Sequence, residues 1–146
     1  GTVKLQMKNV KDYTQIKNLI YLNTGTEHLV VFVTNLNEID VDTVGKRIRN
    51  MKEFAPAGTN VNFVEKHKDF IKVRTYEKGV EGETLACGTG VVASAICSSL
   101  NLQNSQYWTD IKTKGGDLRV YFTKRDRQFE NIWLEGKATF VYKGDI

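Results

Sequence analysis

The sequence predicts an α+β domain in which many short strands surround one buried helix. Two patterns carry that prediction. Apolar and β-branched runs recur along most of the chain with turn-forming residues between them, as strands do. One segment, from about Gly90 to Leu100, is instead small and apolar almost throughout. Its residues Val91, Val92, Ala93, Ala95 and Ile96 leave little polar face, which marks a helix covered on all sides. No internal repeat, low-complexity tract or Pro/Gly-rich linker interrupts the chain, so residues 1–146 read as a single domain.

The elements follow in order. Val3–Lys8 and Ile16–Leu22 read as strands separated by the polar turn Asn9–Asp12, and the apolar run Leu29–Val33 as a third. Asp40 or Asp42 is placed to cap a short helix through about Arg49, with Val41, Val44 and Ile48 on one face. Pro56 and Gly58 break the chain before two more strands, Asn60–Glu65 and Phe70–Glu77. In the second, Ile71, Val73, Thr75 and Glu77 share a face by period two, so a carboxylate ends an otherwise inward apolar row. The glycine-rich stretch Gly79–Gly90 leads into the buried helix. The chain then returns to strands at Trp108–Thr113, Leu118–Phe122, Asn131–Leu134 and Ala138–Tyr142, with a hairpin turn at Gly115-Gly116.

Composition narrows the class. With 40% hydrophobic and 26% charged residues over 146 positions, the chain has an ordinary globular balance. It is long enough to bury a core without a disulfide or metal staple. The only cysteines are Cys87 and Cys97, too few for a secreted disulfide scaffold. No apolar run has the length of a membrane span and no signal-like segment opens the chain, so a soluble, cytoplasmic protein is expected, with no membrane partner. Gly1 in place of Met suggests a processed, truncated or tagged polypeptide. The net charge of +4 raises nucleic-acid binding, but Lys112, Lys114, Arg119, Lys124, Arg125 and Arg127 are scattered among acidic residues with no aromatic platform. A solvated surface is the better reading, and a mild positive balance suits an anionic small substrate. His28, His67 and the two cysteines lack the compact spacing of a metal site.

Chemistry concentrates before the buried helix. A cysteine just ahead of a helix start feels unpaired amides and the positive dipole end, and both favour the thiolate. The free thiol pKa of about 8.5 can fall in such a place. Gly88 and Gly90 let backbone amides approach an anion closely, and Thr89 adds a hydroxyl. Cys87 and a substrate carboxylate are thus expected to meet at one helix start. A free cysteine is otherwise most often a small buried hydrophobe, and Cys97, inside the predicted helix, is read as one. Ten helical residues separate the two sulfurs by about 15 Å, beyond the reach of a disulfide, which needs Cα atoms within about 7 Å.

Glu77-Lys78-Gly79, followed by Gly82-Glu83-Thr84-Leu85-Ala86-Cys87-Gly88-Thr89-Gly90, closely resembles the second signature of the diaminopimelate epimerases. Asn23-Thr24-Gly25-Thr26-Glu27-His28 with Leu29–Val33, then Phe54–Phe63, resemble further segments of that family in its order. So do Gly115–Leu118, Leu134-Glu135-Gly136 and Phe140–Gly144. The likeness runs from about residue 16 to the end. It implies the C-terminal half of a two-domain enzyme, with a curved, mostly antiparallel sheet or barrel around a central helix. Cys87 would be one of two catalytic thiols facing each other across the substrate α-carbon, with Glu77 and His28 assisting. Gly88 and Thr89 would hold the reacting carboxylate, while Asn60, Lys78 and Thr26 would bind other polar groups of a diaminopimelate substrate. The resemblance further implies no cofactor, an N-terminal half supplying the other thiol, and a homodimer. Two positions depart from the usual pattern: Lys78 replaces an arginine and Glu27 a proline.

Inverting an α-carbon without a cofactor requires a proton to leave one face and another to arrive on the opposite face. A lone base tends to return the proton it took. This chain has one thiol in a suitable setting, so it is expected to be inactive alone. Two other readings stay open: a proline racemase-like or hydroxyproline epimerase-like isomerase, and a non-catalytic amino-acid-binding domain.

Overall fold

The computed structural model describes residues 1–138. Ten strands form one sheet: β1 (Thr2–Gln6), β2 (Tyr13–Ile16), β3 (Leu19–Asn23), β4 (Glu27–Phe32), β5 (Asn60–Lys66), β6 (Phe70–Glu77), β7 (Gly82–Thr84), β8 (Gln106–Thr113), β9 (Gly116–Arg125) and β10 (Gln128–Lys137). Two α-helices accompany it, α1 (Val41–Arg49) and α2 (Gly88–Ser98). The strand order is β1-β10-β9-β8-β6-β5-β4-β3-β2, with β7 paired to β6. Pairing is antiparallel except at β4–β5 and β6–β8. Parallel neighbours need a crossover: α1 lies in the first connection, and β7 with α2 in the second. The sheet curls until its ends approach, where Val10 bridges Phe129 of β10 and the Tyr13 ring sits 6.1 Å from that of Phe129.

Each helix covers its own face. Every residue of α2 is buried, and Val91, Val92, Ala95 and Ile96 pack with Val30, Val64, Ile71, Val73, Ile111, Val120 and Phe129 in the larger core. Burying a Val, Ile or Phe side chain of this kind stabilises the fold by about 1.5–3 kcal/mol. On the opposite face Val41, Val44 and Ile48 of α1 pack with Val61, Phe63 and Tyr76. Asp40 is the residue that caps α1, its carboxylate accepting from the Thr43 amide at 3.2 Å. Gly45 permits the approach of α1, since a Cβ there would enter the Tyr76 side chain. No helix among the described residues is long and apolar enough to cross a membrane.

The expected fold class is the observed one, with corrections in detail. Ile16–Leu22 is two strands, because the chain reverses at Lys17-Asn18, where Lys17 adopts a left-handed φ of 57°. No glycine marks that turn. The short strand β7 was not anticipated. Helix α2 starts at Gly88, two residues earlier than expected, so Cys87 is its N-cap residue. The β8–β9 turn is Lys114-Gly115, one residue earlier than expected, and Gly116 opens β9. Strands Leu118–Phe122 and Asn131–Leu134 extend toward each other as a hairpin closed at Asp126-Arg127, with an irregularity beside Asn131. Beyond Ala138, the expected strand to Tyr142 and the segment Phe140–Gly144 lie outside the described residues.

Candidate active site

Alternation along β4, β5 and β6 sorts side chains between the two faces, and the face toward α2 changes character along its length. At one end Val30, Val64, Ile71 and Val73 join the core. At the other, His28, Asn60, Asn62, Thr75 and Glu77 bring polar groups together, in register as His28↔Asn60 and Asn62↔Thr75. All five are buried, His28 and Asn62 completely. The start of α2 lies over this polar end. Gly90 makes the approach possible: a Cβ there would collide with Asn62 Oδ1 and come within 3.1 Å of His28 Cε1. Gly90 thus has a packing role at this site, beside the expected one of giving an anion access to the helix start.

Cys87 is covered, at 1% exposure. Its Sγ lies 3.4 Å from Thr89 Oγ1. Thr89 Oγ1 is 2.8 Å from His28 Nε2, and His28 Nδ1 is 2.9 Å from Asn62 Nδ2. Burial drives the His28 pKa from its ordinary 6.5 down to about 3, helped by the positive charge of Lys78. The ring is therefore neutral at physiological pH. Cys97 belongs to the larger core, where burial pushes its thiol up. Both cysteines are free thiols.

A second network binds the loops around the helix start. Asn60 donates from Nδ2 to the Glu27 carbonyl at 2.9 Å, and its Oδ1 accepts from the Lys78 amide at 2.9 Å. Its side chain therefore joins the beginning of β4 to the end of β6. Lys78 Nζ lies 3.3 Å from Glu27 Oε2, so the two residues that depart from the usual pattern form an ion pair with each other. Thr24 Oγ1 donates to the Thr89 carbonyl at 2.8 Å, clamping the 23–26 turn to α2. A cleft of about 550 Å³ opens here, walled by Thr24, Gly25, Thr26 and Thr89 on one side and by Leu5, Met7 and Lys8 on the other. The amides at the start of α2 (Gly88, Thr89 and Gly90) are the unpaired donors of a helix N-terminus.

The singled-out residues thus fall into groups. Hydrogen bonds join Cys87, Thr89 and His28, while Asn60 and Lys78 form the second network and Thr26 lines the cleft. Glu77 is 5% exposed and shares the helix-facing row, but no side-chain hydrogen bond joins it to either network among the described residues. Sequence reasoning missed Thr24 and Asn62. Thr24 carried no signal of its own. Asn62 stands two residues after Asn60 on a strand, which places both on one face.

The family model described as diaminopimelate epimerase matches residues 20–141. The diaminopimelate epimerase of Flavobacterium psychrophilum is 41% identical over 145 residues, covering 99% of this chain and 57% of that protein. The Hydrogenobaculum enzyme of the same name is 46% identical over 127 residues, covering 85% of this chain and 44% of its own length. The chain therefore spans about half the length of the curated relatives it matches. In fold it resembles a Bacillus anthracis phenazine biosynthesis protein of the PhzF family, with a TM-score of 0.63 at 15% identity over 93% of this chain and 57% of that one. With the family's pattern filling 122 consecutive positions and Cys87 standing at the helix start, the chain belongs to the diaminopimelate epimerase family.

Proposed function

We propose that this chain is the C-terminal half of an amino-acid epimerase that interconverts LL- and meso-diaminopimelate without a cofactor, a step toward lysine and cell-wall precursors. The observation that carries the reading is a cysteine at the N-cap of a buried helix, backed by Thr89 and a neutral, buried histidine. The α-carboxylate of the substrate sits against the amides of Gly88 and Thr89. Cys87 removes or delivers the α-proton on one face, and a thiol of the N-terminal half acts on the other. As the proton leaves, charge spreads onto the carboxylate, where each fixed amide donor contributes about 3–4 kcal/mol once water is excluded. Lys78 exchanges Glu27 for a substrate carboxylate, Thr26 contacts the substrate at the cleft wall, and Glu77 assists the thiol pair. Asn60 ties the segments that carry Glu27 and Lys78 to each other and completes the binding of the substrate's polar groups.

With one thiol at the site, the chain alone has no second proton carrier there and does not turn over. Because Cys87 is covered at 1% exposure, substrate entry requires the helix start to be uncovered and then closed by the N-terminal half. Family resemblance supports a cytoplasmic homodimer for the full-length protein.

The test is α-proton exchange of LL-diaminopimelate in heavy water, with the chain run beside the full-length polypeptide that carries it. Deuterium at the α-carbon and the meso isomer should appear only with the full-length protein. An untouched α-proton there would refute the substrate, and turnover by the chain alone would refute the two-thiol site.

A further inference from the structure

The hydrogen bonds of Asn62 settle a direction that the site alone leaves open. Its Nδ2 lies 3.2 Å from the Leu29 carbonyl oxygen, and its Oδ1 accepts from Thr75 Oγ1 at 2.8 Å. A carbonyl oxygen can only accept, so the atom facing Leu29 is the amide nitrogen, and this fixes the orientation of the amide. The same nitrogen faces His28 Nδ1 at 2.9 Å. Nδ1 must therefore accept, and the neutral ring carries its proton on Nε2. Nε2–H then donates to Thr89 Oγ1 at 2.8 Å. The single hydrogen of the Thr89 hydroxyl is then free to point at the Cys87 sulfur, 3.4 Å away.

We propose that Asn62 is a positioning residue that fixes the Nε2–H tautomer of His28 and so directs the Thr89 hydroxyl hydrogen onto the sulfur of Cys87. The sulfur is held as an acceptor, the arrangement of a thiol group about to take a proton rather than give one. The opposite tautomer would turn the Thr89 hydrogen toward His28 and leave the sulfur without a donor. Nothing lets the pair relax. His28 and Asn62 are fully buried, and α2 packs on them through Gly90. The tautomer part stands on hydrogen bonding alone, whereas its effect on rate rests on the proposed reaction of Cys87.

Nitrogen NMR of the imidazoles in this chain tests the first part directly. The chain has only two histidines, and His67→Gln separates them. His28 should show an unprotonated Nδ1 and a protonated Nε2; a protonated Nδ1 would overturn the proposal. Asn62→Asp cannot donate, so Nδ1 should become protonated, and an unchanged Nδ1 in the folded variant would also overturn it. In the full-length polypeptide the same variant should lower kcat for α-proton exchange by about tenfold to a hundredfold with KM little moved. A switched tautomer with an unchanged kcat would remove the positioning role while leaving the exchange reaction intact. Absence of exchange in the unsubstituted protein would instead count against the diaminopimelate reading, and the tautomer result would still stand.

Discussion

Acidification should unfold this chain through His28 in a way that can be isolated from every carboxylate. The ring is fully buried, and its pKa falls from 6.5 to about 3, first through burial and then through the charge of Lys78. In the unfolded chain it returns to the ordinary value. Between these values the unfolded state binds more protons than the folded one, so stability rises with pH across the window and is lost as pH falls below 6.5. At about pH 4.5, two decades below the unfolded value, the loss from this group is about 3 kcal/mol. A domain of this kind has only about 5–15 kcal/mol to lose.

Glu65, Glu81, Glu83, Asp12 and Asp40 also lose stabilisation in acid, because hydrogen bonds or charges hold their carboxyls below the usual range. Their effect cancels in a comparison with His28→Gln, which can still donate toward Thr89 and accept from Asn62 but does not titrate. Urea unfolding of both proteins from about pH 7.5 to 4.5 should show the unsubstituted chain losing about 3 kcal/mol more than the variant. Parallel curves over that range would refute the buried neutral histidine.

Gly90→Ala should destabilise by about 1–3 kcal/mol, since the added methyl meets Asn62 and His28 in a packed site; a urea midpoint at or above that of the parent would contradict the packing account. Glu27→Gln should cost under about 1 kcal/mol, because the ion pair with Lys78 is partly exposed. The same variant leaves the Lys78 charge without its counter-charge, so the His28 pKa should not rise and the ring should stay neutral at pH 7 by NMR; an imidazolium there would contradict the buried neutral histidine.

Legibility in the sequence tracked how local each signal was. The row Ile71, Val73, Thr75 and Glu77 was readable because period two is a property of one strand, and α2 because an apolar helix needs no partner to be recognised. The Lys17-Asn18 and Asp126-Arg127 turns were hidden, since Lys17 and Asp126 enter the left-handed region without glycine. The outer ends of β9 and β10 escaped notice because their outward residues are charged, as in the Arg125–Glu130 pair at 2.9 Å. At the site, Cys87, Thr89 and His28 were legible from motif and resemblance. The role of Asn62 was not, because it depends on β4, β5, β6 and α2 meeting at one point. The Lys78–Glu27 pair had the same cause: two odd residues, 51 positions apart, whose relation exists only in three dimensions.

The identity of the reacting sulfur decides the proposed mechanism. Cys87→Ala and Cys97→Ala in the full-length polypeptide, assayed for deuterium uptake at the α-carbon of LL-diaminopimelate, test it most directly. Cys87→Ala should abolish epimerisation, while Cys97→Ala, a change within the core, should keep a rate close to that of the unsubstituted protein. Sustained epimerisation by Cys87→Ala would contradict the account.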